Sequence, residues 1–379
     1  MISRIFKLQD AETESIFFFG ARQTGKTTLL KKLFPATRYY DLLNNEQFER
    51  LGRHPELLRE DLQDMPADTL VIIDEIQKLP SLLDEVQWLM VNRELRFILT
   101  GSSARKLKRS GVNLLGGRAV INNFYPLVSA ELEDFDIDRA VNNGMIPRHY
   151  LISDARKRIQ GYIGTYLNVE IQAEAIVRNL PSFNRFLESA ALTSGEMLVY
   201  NNIATDCGVS AVTVKSYFEI LTDTLFGYVI PAYAKVVKRR LIQAPKFYLF
   251  DVGITNYLRH RSHLQQGSPE YGQAFEHLVI QELVAYLGYQ QRLDELSYWR
   301  TGSGIEVDAV LGDAKVAVEI KSATEINSNH LKGLRSFGED YPQARLIAVS
   351  LDMYRRRRDR FEIIPVREFL QDLWTGKII

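Results

Sequence analysis

Gly20, Gly25, Lys26 and Thr27 stand at the spacing G-x-x-x-x-G-K-[ST], the spacing of a phosphate-binding loop. Glycines let backbone N–H groups curl round an anion, and the positive end of a helix opening near Lys26 adds to their pull. Gly20, Ala21, Arg22, Gln23, Thr24, Gly25, Lys26, Thr27 and Thr28 are therefore the expected nucleotide cradle. In that reading Lys26 reaches the β- and γ-phosphates and the Thr27 hydroxyl ligates Mg²⁺. The apolar run from Thr69 to Ile73 ends in Asp74 and Glu75. Asp74 is expected to hold the magnesium shell and Glu75 to orient the attacking water. The run from Leu95 to Ser103 reads as a strand expected beside the phosphate loop and ends in hydroxyls. Of these, Thr100 or Ser102 could sense the γ-phosphate or hold that water, a hydroxyl-rich turn being the alternative. Arg118, on a loop softened by Gly116 and Gly117, is a cation for the γ-phosphate in cis or from a neighbouring subunit, or a solvated surface arginine. ATP is the expected nucleotide, since no N-K-x-D guanine-reading motif follows.

A second constellation lies near the other end of the chain. The segment 315–321 reads as a strand, and a period of two puts Val316, Val318 and Ile320 on one face and Glu319 and Lys321 on the other. Asp308 sits across a short Gly312-Asp313 turn. Two carboxylates and a lysine so placed suit a magnesium-dependent phosphodiesterase, with Asp308 and Glu319 as metal ligands. Lys321 would steady the water or the developing charge, and Glu276 on the preceding helix would complete the shell. The plain alternative is an ordinary charged hairpin.

Between these two lies a candidate helix-turn-helix. A short helix, a turn with Gly208, and a second apolar-faced helix capped by Ser210 make up the motif. Strands around 226–233 and 246–250 would form a wing, with Lys235, Lys238, Arg239 and Arg240 between them, where a wing meets phosphates. Those cations make DNA the expected partner, and a protein contact is the alternative because the second helix itself offers only Lys215 plus Ser and Thr. The run Arg355 to Arg358 with Arg360 reads by default as a solvated loop, with a nucleic-acid patch as the alternative.

The elements that must position these groups follow from pattern and composition. A chain of 379 residues suggests two or three domains, and 46% hydrophobic with 25% charged residues marks a globular protein able to bury several cores. Formal net charge is +0, so any nucleic-acid contact must come from local patches. The single cysteine, Cys207, excludes internal disulfides and fits a reducing compartment. No apolar run approaches the roughly 18 residues of a membrane span, and the start opens no signal peptide, so a cytoplasmic location is expected. Residues 1–133 alternate strand and helix, which implies a mainly parallel sheet. Residues 134–180 form a helical lid or linker interrupted near Gly144 and Pro147, and 181–264 hold the winged helix. After Gln265 to Pro269, residues 265–379 open with a helix whose Phe275, Leu278, Val279, Leu283 and Tyr286 share one face and which ends at Gly288.

This combination resembles a prokaryotic family of AAA-type P-loop ATPases that join an archaeal-type ATPase module to a winged helix and a C-terminal PD-(D/E)xK nuclease-like domain. The likeness rests on Gly20 to Thr28, Ile72 to Gln77 and Leu99 to Ser103, and continues through Gly117-Arg118, Pro126-Leu127, Lys246 to Gly253, Glu306 to Asp308 and Glu319 to Lys321. One departure is Asn143 to Pro147, where relatives tend to show Gly-Gly-x-Pro. The resemblance implies an α/β P-loop NTPase sheet followed by a winged helix-turn-helix and an α/β restriction-endonuclease-like domain, with ATP and Mg²⁺ as cofactors. Two functions follow as expectations. One is an ATP-driven enzyme of DNA processing or defence that cuts nucleic acid; the other is a regulatory switch with a DNA- or protein-binding winged helix and no cleavage. Either is compatible with a homo-oligomer.

Overall fold

In the computed structural model the described residues are 2–103, 105, 107, 115–167, 180–235 and 241–379. They gather round separate cores in two units, 3–126 with 223–225, and 127–222 with 226–379 and residue 2.

The first unit is built on strands β1 (Ser15–Phe19), β2 (Arg38–Asp41), β3 (Leu70–Asp74), β4 (Arg96–Gly101) and β5 (Ala119–Asn123). All pairings are parallel, in the order β2-β3-β4-β1-β5. Sheets of this kind are covered on both faces, which is why Ser15–Phe19 is buried at every residue. Helices α1 (Lys26–Leu33), α2 (Asn45–Arg53), α3 (Leu57–Asp61) and α4 (Leu82–Arg93) connect the strands. Asn44 caps α2 through the amides of Glu46 and Gln47. The acid-bearing strand β3 is not the direct neighbour of β1: β4 lies between them, pairing Phe18 with Thr100 on one side and Ile73 with Leu99 on the other.

The second unit begins with short helices α5 (Ile137–Asn143), α6 (Pro147–Tyr150) and α7 (Arg156–Gly161). They pack with one another and with a later helix, α11 (Val252–Leu258). Asp251 joins the two stretches. It caps α11 through Ile254 and accepts a 2.6 Å hydrogen bond from the Met145 amide. Gly144 is obligatory there, since it has φ 78° and a Cβ would fall 2.1 Å from the Asp251 carboxylate.

Helices α8 (Leu180–Leu192), α9 (Tyr200–Cys207) and α10 (Ala211–Asp223) come between these stretches. The α9–α10 turn has Gly208 at φ 66°, and the Ser210 hydroxyl accepts from the Thr213 amide at 3.1 Å. Strands β6 (Gly227–Ile230) and β7 (Lys246–Leu249) pair antiparallel behind it. Rings of Phe183, Phe186, Tyr217, Phe218 and Phe247 lock α8 and α10 to β7.

The rest of the unit is a six-stranded mixed sheet in the order β12-β13-β11-β10-β9-β8. Its strands are β8 (Leu296–Arg300), β9 (Glu306–Leu311), β10 (Val316–Ile320), β11 (Arg345–Ser350), β12 (Arg356–Arg358) and β13 (Phe361–Pro365). Helices α12 (Pro269–Tyr289), α13 (Lys332–Asp340) and α14 (Val366–Trp374) pack on it. The β8 edge is not left open. Tyr233 donates to the Tyr298 carbonyl, Tyr298 to the Pro231 carbonyl, and Ile242 to the Arg300 carbonyl, so residues 231–233 and 241–242 extend this sheet.

Two expectations need correction. Helix α12 is not buried along one face: His277 to Leu287 are all buried, because β8 and β10 meet it on one side and α5, α11 and α14 on others. It also runs on to Tyr289, and Gln291 rather than Gly288 takes the left-handed turn. The basic run is no solvated loop. Residues 356–358 form edge strand β12, Arg355 pairs with Asp372, Arg356 pairs with Asp352, and Arg360 holds the carbonyls of Gly338 and Pro342.

Candidate functional site

The glycine-bounded loop of the first unit turns sharply from β1 into α1. Gln23 at φ 61° and Gly25 at φ 100° make the turn, and Gly25 caps the helix that Lys26 opens. The Lys26 ammonium donates to the carbonyls of Gly20 and Ala21, at 2.5 and 3.2 Å. Thr24 closes the loop onto the Ala21 carbonyl. Arg4, which sequence reasoning passed over, pins the loop from outside. Its guanidinium donates to the carbonyls of Thr24, Tyr125 and Pro126 and stacks 3.9 Å over the Phe124 ring.

Asp74 reaches this loop across the end of β4. Thr27 donates to its Oδ2 at 2.8 Å, Tyr39 donates to the same oxygen, and Thr100 donates to Oδ1. Burial, and then the Asp74 charge, raise the Tyr39 pKa, so this phenol stays a donor. Thr100 also accepts from the Glu75 amide at 3.3 Å, so its hydroxyl positions both acids. Thr27 and Asp74 fit a magnesium ion: both offer hard oxygens, side by side at the head of α1.

Glu75 adopts φ 62° and is held by the Gln77 amide at 2.5 Å, with Arg22 3.9 Å away. Gln77 also donates to Ser102 at 3.2 Å, which ties the hydroxyl just past β4 to the acid. This fit needs Gly101, where a Cβ would stand 2.3 Å from Gln77 Oε1. Arg118 is exposed on the turn Leu115–Gly117 that leads into β5.

In the second unit Asp308, Glu319 and Lys321 come together. Lys321 Nζ lies 2.7 Å from Glu319 and 3.4 Å from Asp308, and the Ile320 amide donates to Asp308 at 2.7 Å. Burial, then the Asp308 charge, push the Glu319 carboxyl well above its ordinary range. Its Oε2 is buried without a hydrogen-bond partner among the described residues and looks onto Gly333, where a Cβ would stand 2.9 Å away.

Glu276 joins only through others. Tyr248 donates to it at 2.7 Å, and Lys246 Nζ lies 3.9 Å away. Burial, then Asp308, raise its pKa to about 7. Lys246, whose role sequence reasoning missed, hydrogen-bonds Glu306, and Arg300 holds the other Glu306 oxygen at 2.6 Å. Among the described residues no group of three or more His, Cys, Asp or Glu side chains is gathered as a metal ion would require. Each carboxylate faces a cation of the chain instead, and that donor set does not fit a divalent ion.

Of the nucleic-acid candidates, Lys215 is exposed on α10 and Lys235 makes an exposed 2.6 Å pair with Asp313. Lys238, Arg239 and Arg240 lie outside the described residues. A separate cavity of about 350 Å³ is lined by Arg139, Arg156, Arg261 and His263, with Asp138 and Asp154 among them. No helix among the described residues is long and apolar enough to cross a membrane.

Comparison with known proteins divides the chain in three. Residues 12–133 match the family described as AAA domain. Residues 134–265 and 271–369 match two families described as domain of unknown function, DUF8612 and DUF4143. No curated protein matches. Among solved structures, the Aeropyrum pernix ORC1 protein in complex with DNA is similar at 14% identity, over 65% of this chain and 86% of that one, with a TM-score of 0.27. A STAND protein with a tetratricopeptide repeat sensor from Pyrococcus horikoshii is also 14% identical, over 77% of this chain and 48% of that one, with a TM-score of 0.24. Superpositions this loose decide nothing about the fold, which rests on the sheet and loop themselves. The family match, the parallel sheet and the glycine-bounded loop agree: residues 12–133 resemble the AAA domain family in sequence and fold as a parallel sheet with a phosphate-loop turn.

Proposed function

We propose that the chain binds and hydrolyses ATP with Mg²⁺ and uses the nucleotide state to govern a nucleic-acid-binding winged helix. The observation that carries the first half is the Thr27–Asp74–Thr100–Glu75 network at the mouth of the phosphate loop. Bound magnesium would neutralise phosphate charge there, and the chain's own residues do the rest. Lys26 exchanges carbonyl partners for phosphate oxygens. Thr100 holds Asp74 and Glu75 at a fixed spacing, and Glu75 accepts the proton of the attacking water once it leaves Gln77. Arg118 is the cation offered to the γ-phosphate, in cis or from a second subunit of a homo-oligomer. Glu75→Gln should retain ATP binding and lose turnover, and Lys26→Ala should lose binding. Equilibrium nucleotide titration beside phosphate release tests both, and full turnover by Glu75→Gln would sink the assignment.

The α9–α10 turn, the β6–β7 ribbon and exposed Lys215 support the DNA-binding half. Lys215→Glu, alone and with Lys235, Lys238, Arg239 and Arg240 reversed, should lower both affinity and salt slope, by about 0.9 per phosphate contact on B-DNA. Unchanged values would move the winged helix to protein contact.

A second reading is metal-dependent cleavage of nucleic acid by a restriction-endonuclease-like C-terminal domain. The meeting of Asp308, Glu319 and Lys321 favours it, and the lysine-filled donor set opposes it. Cleavage of plasmid and single-stranded substrates with Mg²⁺ or Mn²⁺, lost on Asp308→Asn, would establish this reading.

A further inference from the structure

Four carboxylates of the second unit, Glu276, Glu306, Asp308 and Glu319, meet three cations, Lys246, Arg300 and Lys321. The acids, Arg300 and Lys321 belong to the segment matched at 271–369, whereas Lys246 comes from the segment before it, as the first residue of β7. The two lysines are not equivalent. The Lys321 side chain is 34% exposed and has room to swing out, whereas that of Lys246 is 4% exposed. The Lys246 ammonium is bonded to Glu306, faces Glu276 at 3.9 Å and lies 5.3 Å from the centre of the Tyr298 ring, whose quadrupole also favours a cation.

We infer that the Lys246 ammonium is the resident cation of this cluster, holding the charge position a divalent ion would otherwise fill and keeping the C-terminal site free of metal. A divalent ion entering beside it would bring two further positive charges against an ammonium whose side chain is all but buried. Three cations set against four carboxylates leave at most one net negative charge in the cluster, so little attraction remains to offset that repulsion. Lys246 thereby stitches the ribbon-bearing segment to the sheet, and the E-x-K strand serves as a structural ion-pair seat. The inference is independent of ATP hydrolysis and competes with the cleavage reading.

Mn²⁺ titration followed by electron paramagnetic resonance on the full-length, nucleotide-free chain tests it, with Asp308→Asn separating this site from any ion at the phosphate loop. Wild type and Asp308→Asn should bind equal numbers of Mn²⁺. Lys246→Met should gain one Mn²⁺ per chain, lost again when Asp308→Asn is added, and Lys246→Arg should gain none. A wild-type ion lost on Asp308→Asn or Glu319→Gln would overturn the inference, whether or not Lys246→Met folds. So would a folded Lys246→Met that gains nothing. ATP turnover in the same samples should stay at the wild-type level, and its absence from all of them would instead count against the ATPase reading.

Discussion

Asp74 and Asp308 are both buried aspartates on sheet strands, and both belong to motifs that suggest a metal ligand. Their neighbours differ in kind. Three hydroxyls hold Asp74, from Thr27, Tyr39 and Thr100. Asp308 is held by a backbone amide and the Lys321 ammonium, inside a cluster where Lys246 and Arg300 add two more cations. A hydroxyl orients a carboxylate and leaves its charge for an incoming ion. An ammonium orients it and cancels that charge. Acid type, burial and spacing are therefore poor guides to a metal site until the charge of the donors is known.

The comparison breaks most visibly if the lysine is removed. Lys246→Ala leaves half-buried Glu276 short of a counter-charge and Glu306 with Arg300 alone, so it should destabilise the second unit by about 1.5–3 kcal/mol. Urea unfolding measures this, and a loss below about 1 kcal/mol would put the pair in the class of exposed surface bridges. Asp74→Asn keeps the shape and loses the charge. It should leave folding nearly untouched and slow ATP hydrolysis by about 10²–10³-fold, the usual effect of one electrostatic group at a reacting centre. Phosphate release within threefold of wild type would remove the distinction between the two aspartates.

A third buried group sharpens the contrast because it has neither hydroxyls nor a counter-ion. His149 is fully buried, with no hydrogen-bond partner on either ring nitrogen among the described residues, and burial, then Arg158, push its pKa down to about 4. The unfolded chain protonates this ring below its ordinary 6.5 while the folded chain does not, so stability falls as pH drops from 6.5 towards 4. Between pH 6.5 and 5 this one ring should cost about 2 kcal/mol. His149→Leu should flatten the acid limb by that amount, seen as the difference between the two urea-stability profiles. An identical slope in both proteins would show that the ring is solvated. The smallest effect belongs to Tyr39→Phe, which takes one of three donors from Asp74 and should slow turnover by about tenfold or less, near 1 kcal/mol. A loss as large as that of Asp74→Asn would mean the phenol does more than orient the acid.

The glycines and lysine of the phosphate loop were legible because their chemistry is local: one turn and one helix start supply it. The parallel sheet was legible from apolar runs, and the place of 95–103 beside the phosphate loop was expected, yet the full strand order was not. Nothing in residues 69–75 or 95–101 says that β4 separates β3 from β1, which makes Thr100 the bridge to Asp74. The E-x-K face was also readable from a period of two, while its counter-ion was hidden. Lys246 is 60 residues from Glu306, and only folding brings the two together. Helix α12 misled because periodicity finds apolar positions and cannot see that buried polar ones have partners. Here His277 meets the Leu249 carbonyl, Gln281 the Val252 amide, and Glu282 both Ser129 and Trp374.

The strip of chain from residues 231–233 and 241–242 that closes the β8 edge has a consequence for how this molecule can be divided or inherited. Two sequence families meet between residues 265 and 271, but the outer strand of the later one has its backbone bonded by the earlier one. Cut at that seam, the later part would present bare amides and carbonyls along β8, a template for stacking against its own copies. The two families must therefore fold as one cooperative body, and recombination that exchanged one without the other would yield a sticky, half-finished sheet.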